Sequence, residues 1–259
     1  MPKRSAVFVG IDVGSSRTKT AVLDEKKNLI GHCVVKSGTD FTVSSNKCLE
    51  ASLEMAEVSY GDIVRAASTG YGRKNVSVAD FSRTEISCHG RGCYFYFPEA
   101  LTIIDIGGQD NKIIKLDEAG RRISFKMNRK CAAGTGAFLE EMSPRLDIPL
   151  EEMNQLAAKS KDMVELGSFC TVFSATEVLE KIRAGKKVED IVKGLFFSVI
   201  KRVMEMDSLT EKIVMTGGVV AHNNYLVQMV EEITGKSIFT TAHPQLTGAI
   251  GAALYALEL

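Results

Sequence analysis

Two cysteines have the sequence surroundings of metal ligands. Cys131 lies in Asn-Arg-Lys-Cys-Ala-Ala-Gly-Thr-Gly and Cys170 in Gly-Ser-Phe-Cys-Thr-Val, and each precedes a stretch with the spacing of an amphipathic helix. Neither has a second cysteine within metal-ligand spacing. A [4Fe–4S] cluster takes about four cysteine thiolates, so one chain supplies half of a site and a second copy would complete it. The placement predicts a cluster shared across a two-fold axis.

An ordinary buried thiol is the alternative for any free cysteine. The polar, glycine-rich residues around the two cysteines above argue against burial. Cys33 and Cys48 lie in strand and helix patterns, and we expect them in the core. Cys88 and Cys93 have neither Cys-x-x-Cys nor zinc-site spacing, so we expect core or helix packing for them as well.

An internal repeat predicts two related halves. The pattern of residues 7–35 returns over residues 101–127, with Asp, Gly, Lys, Leu, Asp, Glu and Ile at the same offsets. Each copy has the pattern strand, tight glycine turn, strand, polar turn, strand. A repeated meander of this kind indicates two halves built on the same plan.

The glycine turn of the first copy has the residues of a phosphate-binding loop. Asp12-Val-Gly14-Ser15-Ser16 follows a buried type of strand, and Lys19 comes shortly after it. The glycine lets the backbone approach a phosphate closely, and the N–H groups of the turn form an anion nest. The Asp12 carboxylate suits Mg²⁺ held through water, and Lys19 can neutralise phosphate charge.

The second copy, Asp105-Ile-Gly107-Gly108-Gln109-Asp110, offers the same elements from the other half. Gln109 is a candidate for orienting an attacking water. A single Asp-x-Gly turn is most often only a hairpin. Two copies at matched offsets favour phosphate binding at both.

A third glycine pair, Gly217-Gly218, follows a predicted strand over Lys212–Thr216. A plain tight turn is its alternative, but beside the paired phosphate turns we interpret it as a contact for adenosine. Gly134, Thr135 and Gly136 follow Cys131 closely, and contact with the nucleotide there would couple ATP to the cysteine. The chain has no P-loop motif, and no Gly-x-Gly-x-x-Gly opens a βαβ unit.

Composition excludes several classes of protein. Lys plus Arg and Asp plus Glu are equal at 32 each, so no global field attracts nucleic acid. No apolar run approaches the ~18 residues of a membrane span. The six cysteines come without a secretion signal, which predicts a reducing cytoplasm.

The motifs together resemble a known family. The phosphate turns and the Gly-Gly pair are similar to those of the superfamily of acetate and sugar kinases, heat-shock chaperones and actin. Cys-Ala-Ala-Gly-Thr-Gly, Phe-Cys-Thr-Val-Phe and Asp-Ile-Gly-Gly-Gln-Asp narrow the resemblance to activators (component A) of 2-hydroxyacyl-CoA dehydratases. The same family includes the ATPase subunits of benzoyl-CoA reductase, and the resemblance covers nearly the whole chain.

The resemblance implies an α/β fold with two related actin-like (ribonuclease H-like) halves. Each half is a mixed five-stranded sheet with flanking helices, and the nucleotide lies in the cleft between the halves. We expect residues 1–97 and a C-terminal helix over 246–259 in the first half, and residues 98–245, with the cluster cysteines, in the second. The helices predicted after the second repeat copy cover Ala132–Leu146, Pro149–Lys159, Thr171–Ala184, Val188–Met206 and Asn224–Thr234.

The resemblance also implies an activity and its partners. It implies an anaerobic, cytoplasmic homodimer with one [4Fe–4S] cluster, held by Cys131 and Cys170 of each subunit. ATP hydrolysis with Mg²⁺ would drive transfer of one low-potential electron from a ferredoxin or flavodoxin into a partner. That partner is an iron–sulfur dehydratase or a reductase, including reductases with a double-cubane cluster.

The catalytic candidates are Asp12, Asp105 and Gln109. The residues assigned to ATP or ADP are Asp12, Gly14, Ser15, Ser16, Lys19, Asp105, Gly107, Gly108, Gln109, Gly134, Thr135, Gly136, Gly217, Gly218 and Gln245.

Two other functions remain open from the sequence. A small-molecule kinase of the same superfamily would bind no iron and would need a carboxylate base, for which the sequence offers no candidate. A chaperone-like ATP-dependent scaffold would leave the two motif cysteines unexplained. The basic residues Lys126, Arg129 and Lys130 are either a solvated face or a docking patch for an acidic partner.

Overall fold

The computed structural model describes residues 6–128, 131–167, 170–210 and 212–259. Arg129 and Lys130 of the predicted basic patch lie outside the described residues. The chain forms two compact units, each with one five-stranded sheet. The first unit contains Met1–Glu99, Leu116–Arg122 and Gln245–Leu259, and the second contains Ala100–Lys115 and Ile123–Pro244.

The first sheet is an antiparallel meander extended by parallel strands. Its order is β3-β2-β1-β4-β5, with β1 paired to β2 antiparallel and to β4 parallel. Apolar residues cover both faces of the sheet. Val22 of the second strand packs in one core cluster, and its neighbours Ala21 and Leu23 pack in another on the opposite face. The strands are β1 (Val7–Val13), β2 (Arg17–Asp24), β3 (Leu29–Lys36), β4 (Ile63–Thr69) and β5 (Phe81–Ser82).

Helices cover both faces of this sheet: α1 (Phe41–Met55) on one, and α2 (Glu85–Tyr96) with α9 (Thr247–Glu258) on the other. The α1 helix begins at Phe41. The Asp40 carboxylate caps it by accepting hydrogen bonds from the N–H groups of residues 42 and 43 at 2.9 and 3.0 Å.

The second sheet repeats the plan of the first. Its order is β10-β9-β6-β7-β8, which places a meander beside two parallel strands as in the first unit. The predicted repeat of two actin-like halves is therefore confirmed at the level of strand order. The strands are β6 (Leu101–Ile106), β7 (Asn111–Leu116), β8 (Arg122–Asn128), β9 (Lys212–Thr216) and β10 (Ile238–Thr240).

The helices of the second unit pack around the long α6, of which nine residues are buried. Predicted helices after Cys170 match the structure within two residues at each end. The prediction of a helix over Ala132–Leu146 is wrong at its start, because Gly134 has a φ of +78° and the helix begins only at Gly136. The helices observed in the second unit are α3 (Gly136–Met142), α4 (Met153–Lys159), α5 (Thr171–Arg183), α6 (Val188–Met204), α7 (Gly218–His222) and α8 (Asn224–Thr234).

Short 3₁₀ helices connect several elements. They cover Tyr60–Asp62, Arg73–Asn75, Pro144–Leu146, Leu150–Glu152 and Pro244–Leu246. Across the described ranges, no helix is both long and apolar enough to cross a lipid bilayer.

Candidate functional site

The first turn of each meander closes with the same hydrogen bond. The Gly14 N–H donates to the Arg17 carbonyl at 3.1 Å, and the Gly107 N–H donates to the Asp110 carbonyl at 2.9 Å. A Cβ at either glycine would lie 2.9 Å from that carbonyl oxygen. Both turns therefore need glycine, and both expose backbone where the sequence predicts phosphate.

Each turn directly follows a strand that contains a buried aspartate, and that aspartate is paired with a lysine of the next strand. Lys19 Nζ donates to Asp12 Oδ2 at 3.0 Å, and Lys112 Nζ donates to Asp105 Oδ2 at 3.0 Å. Lys112 also donates to Asp110 Oδ1 at 2.6 Å. Both aspartates are 2% exposed, and a carboxylate that deep needs a compensating charge. Lys19, which the sequence assigns to phosphate neutralisation, thus holds Asp12 in this structure.

On the neighbouring parallel strand, a threonine lies opposite each aspartate. Asp12 is in register with Thr69, and Asp105 with Thr216. Thr216 Oγ1 donates to Asp105 Oδ1 at 3.2 Å. In the first unit, Asp12 Oδ1 is buried and has no hydrogen-bond partner among the described residues. Such an orphaned carboxylate oxygen has free acceptor capacity, and it fits the water shell of a hydrated Mg²⁺.

A glycine with positive φ follows each of these threonines. Gly70 has a φ of +87° and Gly217 a φ of +101°. A Cβ on Gly70 would lie 2.5 Å from Asp12 Oδ1, and one on Gly217 would lie 2.8 Å from Asp105 Oδ1. Sequence reasoning found Gly217 and missed Gly70 as its counterpart. The Thr-Gly pair that ends a strand in both halves was the available signal.

The start of α3 is hydrogen-bonded to the second phosphate turn. The Gly136 N–H donates to the Gly107 carbonyl at 2.9 Å, and the Ala137 N–H donates to the Gly108 carbonyl at 2.7 Å. Thr135, at the N-cap, is fully buried. The glycine-rich segment after Cys131 is therefore in direct contact with the turn, whereas its contact with the nucleotide stays a prediction.

The two motif cysteines differ in their relation to helices. Cys170 is half-buried and is the N-cap residue of α5, where the helix dipole favours a thiolate or an anionic cluster. Cys131 is exposed, and its Sγ accepts a hydrogen bond from the Ala133 N–H at 3.4 Å. Placement directly before a helix is thus right for Cys170 and wrong for Cys131, which lies five residues ahead of α3. An exposed sulfur with an N–H donor at Cys131, and a half-buried cysteine at a helix N-terminus at Cys170, fit an iron–sulfur cluster.

The remaining cysteines are unsuited to metal binding. Cys48, Cys88 and Cys93 are buried, and Cys33 is half-buried. Burial raises the pKa of Cys48 to about 12 and that of Cys88 to about 12. The burial of Cys48, Cys88 and Cys93 confirms their predicted place in the core, whereas Cys33 is less buried than predicted.

We expect alkylation of the cluster-free protein to separate the two classes of thiol. At pH 8, a thiol with a pKa near 12 is ionised in about one molecule in ten thousand. Iodoacetamide should therefore modify Cys131 at least about 100-fold faster than Cys48 or Cys88, as measured by mass spectrometry of peptides. Equal rates in the native protein would contradict the burial of these two thiols.

The other predicted nucleotide residues lie at accessible positions or beside the site. Ser15 and Gln109 are exposed, and Ser16 is half-buried. Gln245 follows Pro244, whose carbonyl accepts a hydrogen bond from the Gly217 N–H at 3.0 Å. Their contacts with a nucleotide stay predictions. The role of the basic patch as a docking surface also stays a prediction. Lys126 of this patch has its Nζ 3.7 Å from Asp207 Oδ2.

Comparison with known proteins places this chain among ATPases. The model of the BadF/BadG/BcrA/BcrD ATPase family matches residues 9–256. The activator of lactoyl-CoA dehydratase from Anaerotignum propionicum is 42% identical over 253 residues, which cover 96% of this chain and 97% of the relative.

Two solved structures have the same fold at similar identity. One is component A of (R)-2-hydroxyglutaryl-CoA dehydratase from Acidaminococcus fermentans, with a TM-score of 0.92, 39% identity and 98% coverage of both chains. The other is the activator of 2-hydroxyisocaproyl-CoA dehydratase from Clostridium difficile with bound ADPNP, with a TM-score of 0.91 and 40% identity. It covers 97% of this chain and 94% of that one. The predicted actin-like fold is confirmed.

Proposed function

We propose, since this chain belongs to the BadF/BadG/BcrA/BcrD ATPase family, that it is an ATP-dependent electron-transfer activator. Its partner would be an iron–sulfur dehydratase acting on 2-hydroxyacyl-CoA, or a double-cubane cluster reductase. The observation that carries the proposal is the pair of hydrogen bonds from α3 to the Gly107 and Gly108 carbonyls. Through them, the segment that contains Cys131 rests on a turn with phosphate-binding chemistry.

ATP would be held by backbone and carboxylate groups of the two glycine turns. The N–H groups of the turns after Asp12 and Asp105 contact phosphate oxygens, and Asp12 Oδ1 accepts from the water shell of Mg²⁺. Gln109, which is exposed, orients the attacking water. Gly217 and Gly218 leave backbone against which the nucleoside lies. The relative with bound ADPNP supports nucleotide binding by this family.

Cys131 and Cys170 of two subunits would together hold one [4Fe–4S] cluster. When bound, the cluster supplies a centre that accepts one electron from a ferredoxin or flavodoxin and donates it to the partner. Val172 and Phe173, directly after Cys170, are 70% and 68% exposed. Apolar side chains exposed to this degree beside a ligand support burial against a second subunit.

The chain's own residues would convert ATP hydrolysis into a change at the cysteines. Replacement of ATP by ADP and phosphate alters the anion at the Gly107–Gln109 turn. The turn then shifts the start of α3 through the bonds at Gly136 and Ala137, and Cys131 follows. Differential affinity of the two conformations for ATP and ADP supplies the free energy of this shift.

Anaerobic reconstitution tests the proposal. We expect a brown protein with about four irons per dimer, by the count of cysteine ligands, and a visible band that dithionite bleaches. Reduction of the partner should require Mg-ATP. A protein without iron would favour the small-molecule kinase, and four irons per monomer would exclude a shared cluster.

A further inference from the structure

We propose that Asn111 is a positioning residue that ties the Cys131 segment to the phosphate turn. The inference rests on the proposed function and deepens it. Asn111 is the first residue of β7, directly after the Gly107–Asp110 turn, and it is 1% exposed. Its Nδ2 donates to the Gly134 carbonyl at 2.6 Å. No contact of this kind is visible in the sequence, where the two residues lie 23 positions apart.

Gly134 is fixed from two sides at this point. Its φ is +78°, a conformation that favours glycine. A Cβ there would lie 2.9 Å from Arg202 Cβ on α6 and 3.1 Å from Asn111 Nδ2. The backbone of the Cys131 segment therefore has one path, between α6 and the Asn111 amide.

The other end of the Asn111 amide makes no competing bond with any part of the chain that the structure describes. Asn111 Oδ1 is buried there without a hydrogen-bond partner. A buried amide with one unpaired oxygen is costly, and the bond from Asn111 Nδ2 to the Gly134 carbonyl offsets part of that cost. Within the described residues, the bond to Gly134 is the one hydrogen bond that the side chain makes.

The first unit has an equivalent set of hydrogen bonds, in a segment that contains neither of the two motif cysteines. Thr18 occupies the position in β2 that Asn111 occupies in β7, one residue before the lysine of the buried pair. Its Oγ1 lies 3.0 Å from Ser37 Oγ and 3.3 Å from Ser44 Oγ, after β3. Ser37 Oγ in turn donates to the Gly14 carbonyl of the first turn at 2.6 Å. In both halves this position ties the segment after the third strand to the glycine turn.

The bonds divide into two groups. The N–H groups of Gly136 and Ala137 fix the start of α3 by backbone, which side-chain substitution leaves intact. The Asn111 side chain fixes Gly134, the part nearer to Cys131. Loss of the amide should therefore leave α3 docked and free the cysteine segment from the turn.

The test compares Asn111→Leu, which keeps a similar volume and removes the donor, with Thr18→Val as the matched change in the first unit. The measurement is the rate at which a chelator removes iron from the reconstituted protein, with ADP and with a non-hydrolysable ATP analogue. Allosteric coupling spans about 5-fold to 150-fold, so we expect the wild-type rates to differ at least 5-fold. In Asn111→Leu the two iron-release rates should differ by no more than about twofold. In Thr18→Val the ratio of the two rates should stay at its wild-type value.

Nucleotide affinity, measured by titration, should stay within about threefold of the wild type in both variants. An Asn111→Leu protein that keeps the wild-type ratio overturns the inference and leaves the proposed function intact. Failure of the proposed function shows separately, as absence of iron in the wild type. If Asn111→Leu takes up no cluster, the rate of Cys131 alkylation in the cluster-free full chain is measured instead, relative to the rate at Cys170. This relative rate is then compared between ADP and the non-hydrolysable ATP analogue. Nucleotide-dependent alkylation that survives the substitution also overturns the inference.

Discussion

Replacement of Cys131 or Cys170 by alanine is expected to abolish cluster binding. Each substitution removes two of the about four thiolates of a site shared by two subunits, which is too few to hold the cube. Iron should fall from about four to less than about one per dimer, and ATP-dependent reduction of the partner should stop. Because Cys131 and Cys170 lie outside the two glycine turns in the sequence, nucleotide affinity should change little.

Cys33→Ala is the matched control for the loss of the cysteine ligands. Cys33 is half-buried in β3 of the first unit, so its loss removes a thiol without touching either motif. This variant should keep its iron and its visible band. Undiminished iron in Cys131→Ala would contradict the assignment of the ligand set, and loss of iron in all three variants would point to instability.

Replacement of Gly217 by alanine is expected to cause a large loss of stability. The new Cβ would lie 2.8 Å from Asp105 Oδ1 and closer still to the Ile106 carbonyl, which are held by the sheet. Left-handed strain costs about 1–3 kcal/mol and overpacking about 1–3 kcal/mol, so the free energy of unfolding should fall by roughly 2–6 kcal/mol. Nucleotide affinity should fall as well, because the substitution displaces the Asp105 carboxylate.

Gly235→Ala separates the two costs. Gly235 ends α8 with a φ of +65°, and a Cβ there meets nothing within 4 Å. It should lose only the conformational part, about 1 kcal/mol. Urea denaturation of both variants provides the comparison, and equal losses would show that the close approach at Gly217 is relaxed at little cost. Gly70→Ala should resemble Gly217→Ala, since a Cβ there lies 2.5 Å from Asp12 Oδ1.

Much of the fold was predictable because it depends on local patterns. The repeated Asp, Gly and Lys offsets identified two meanders, and the sheets indeed have the same strand order. Helical periodicity placed the helix over Asn224–Thr234 with both ends correct. Such features follow from side-chain spacing within about ten to fifteen residues, so neighbouring sequence is sufficient to find them.

The start of α3 shows where local pattern was insufficient. Ala132 and Ala133 favour helix, and the apolar spacing beyond them continues the pattern. The positive φ of Gly134 and the bonds of Gly136 and Ala137 to the phosphate turn override that preference. Cys131 consequently lies exposed on a loop, five residues before the helix and not at its end as predicted.

The sequence by itself determined which residues could do chemistry: two isolated cysteines in polar, glycine-rich motifs, and two phosphate turns at matched offsets. Only the tertiary structure decided how they are connected. It paired each buried aspartate with a lysine, set Gly70 and Gly217 against those carboxylates, and brought Asn111 to Gly134. These contacts join residues distant in sequence, and they depend on strand register and on the path of the packed chain, which periodicity does not specify.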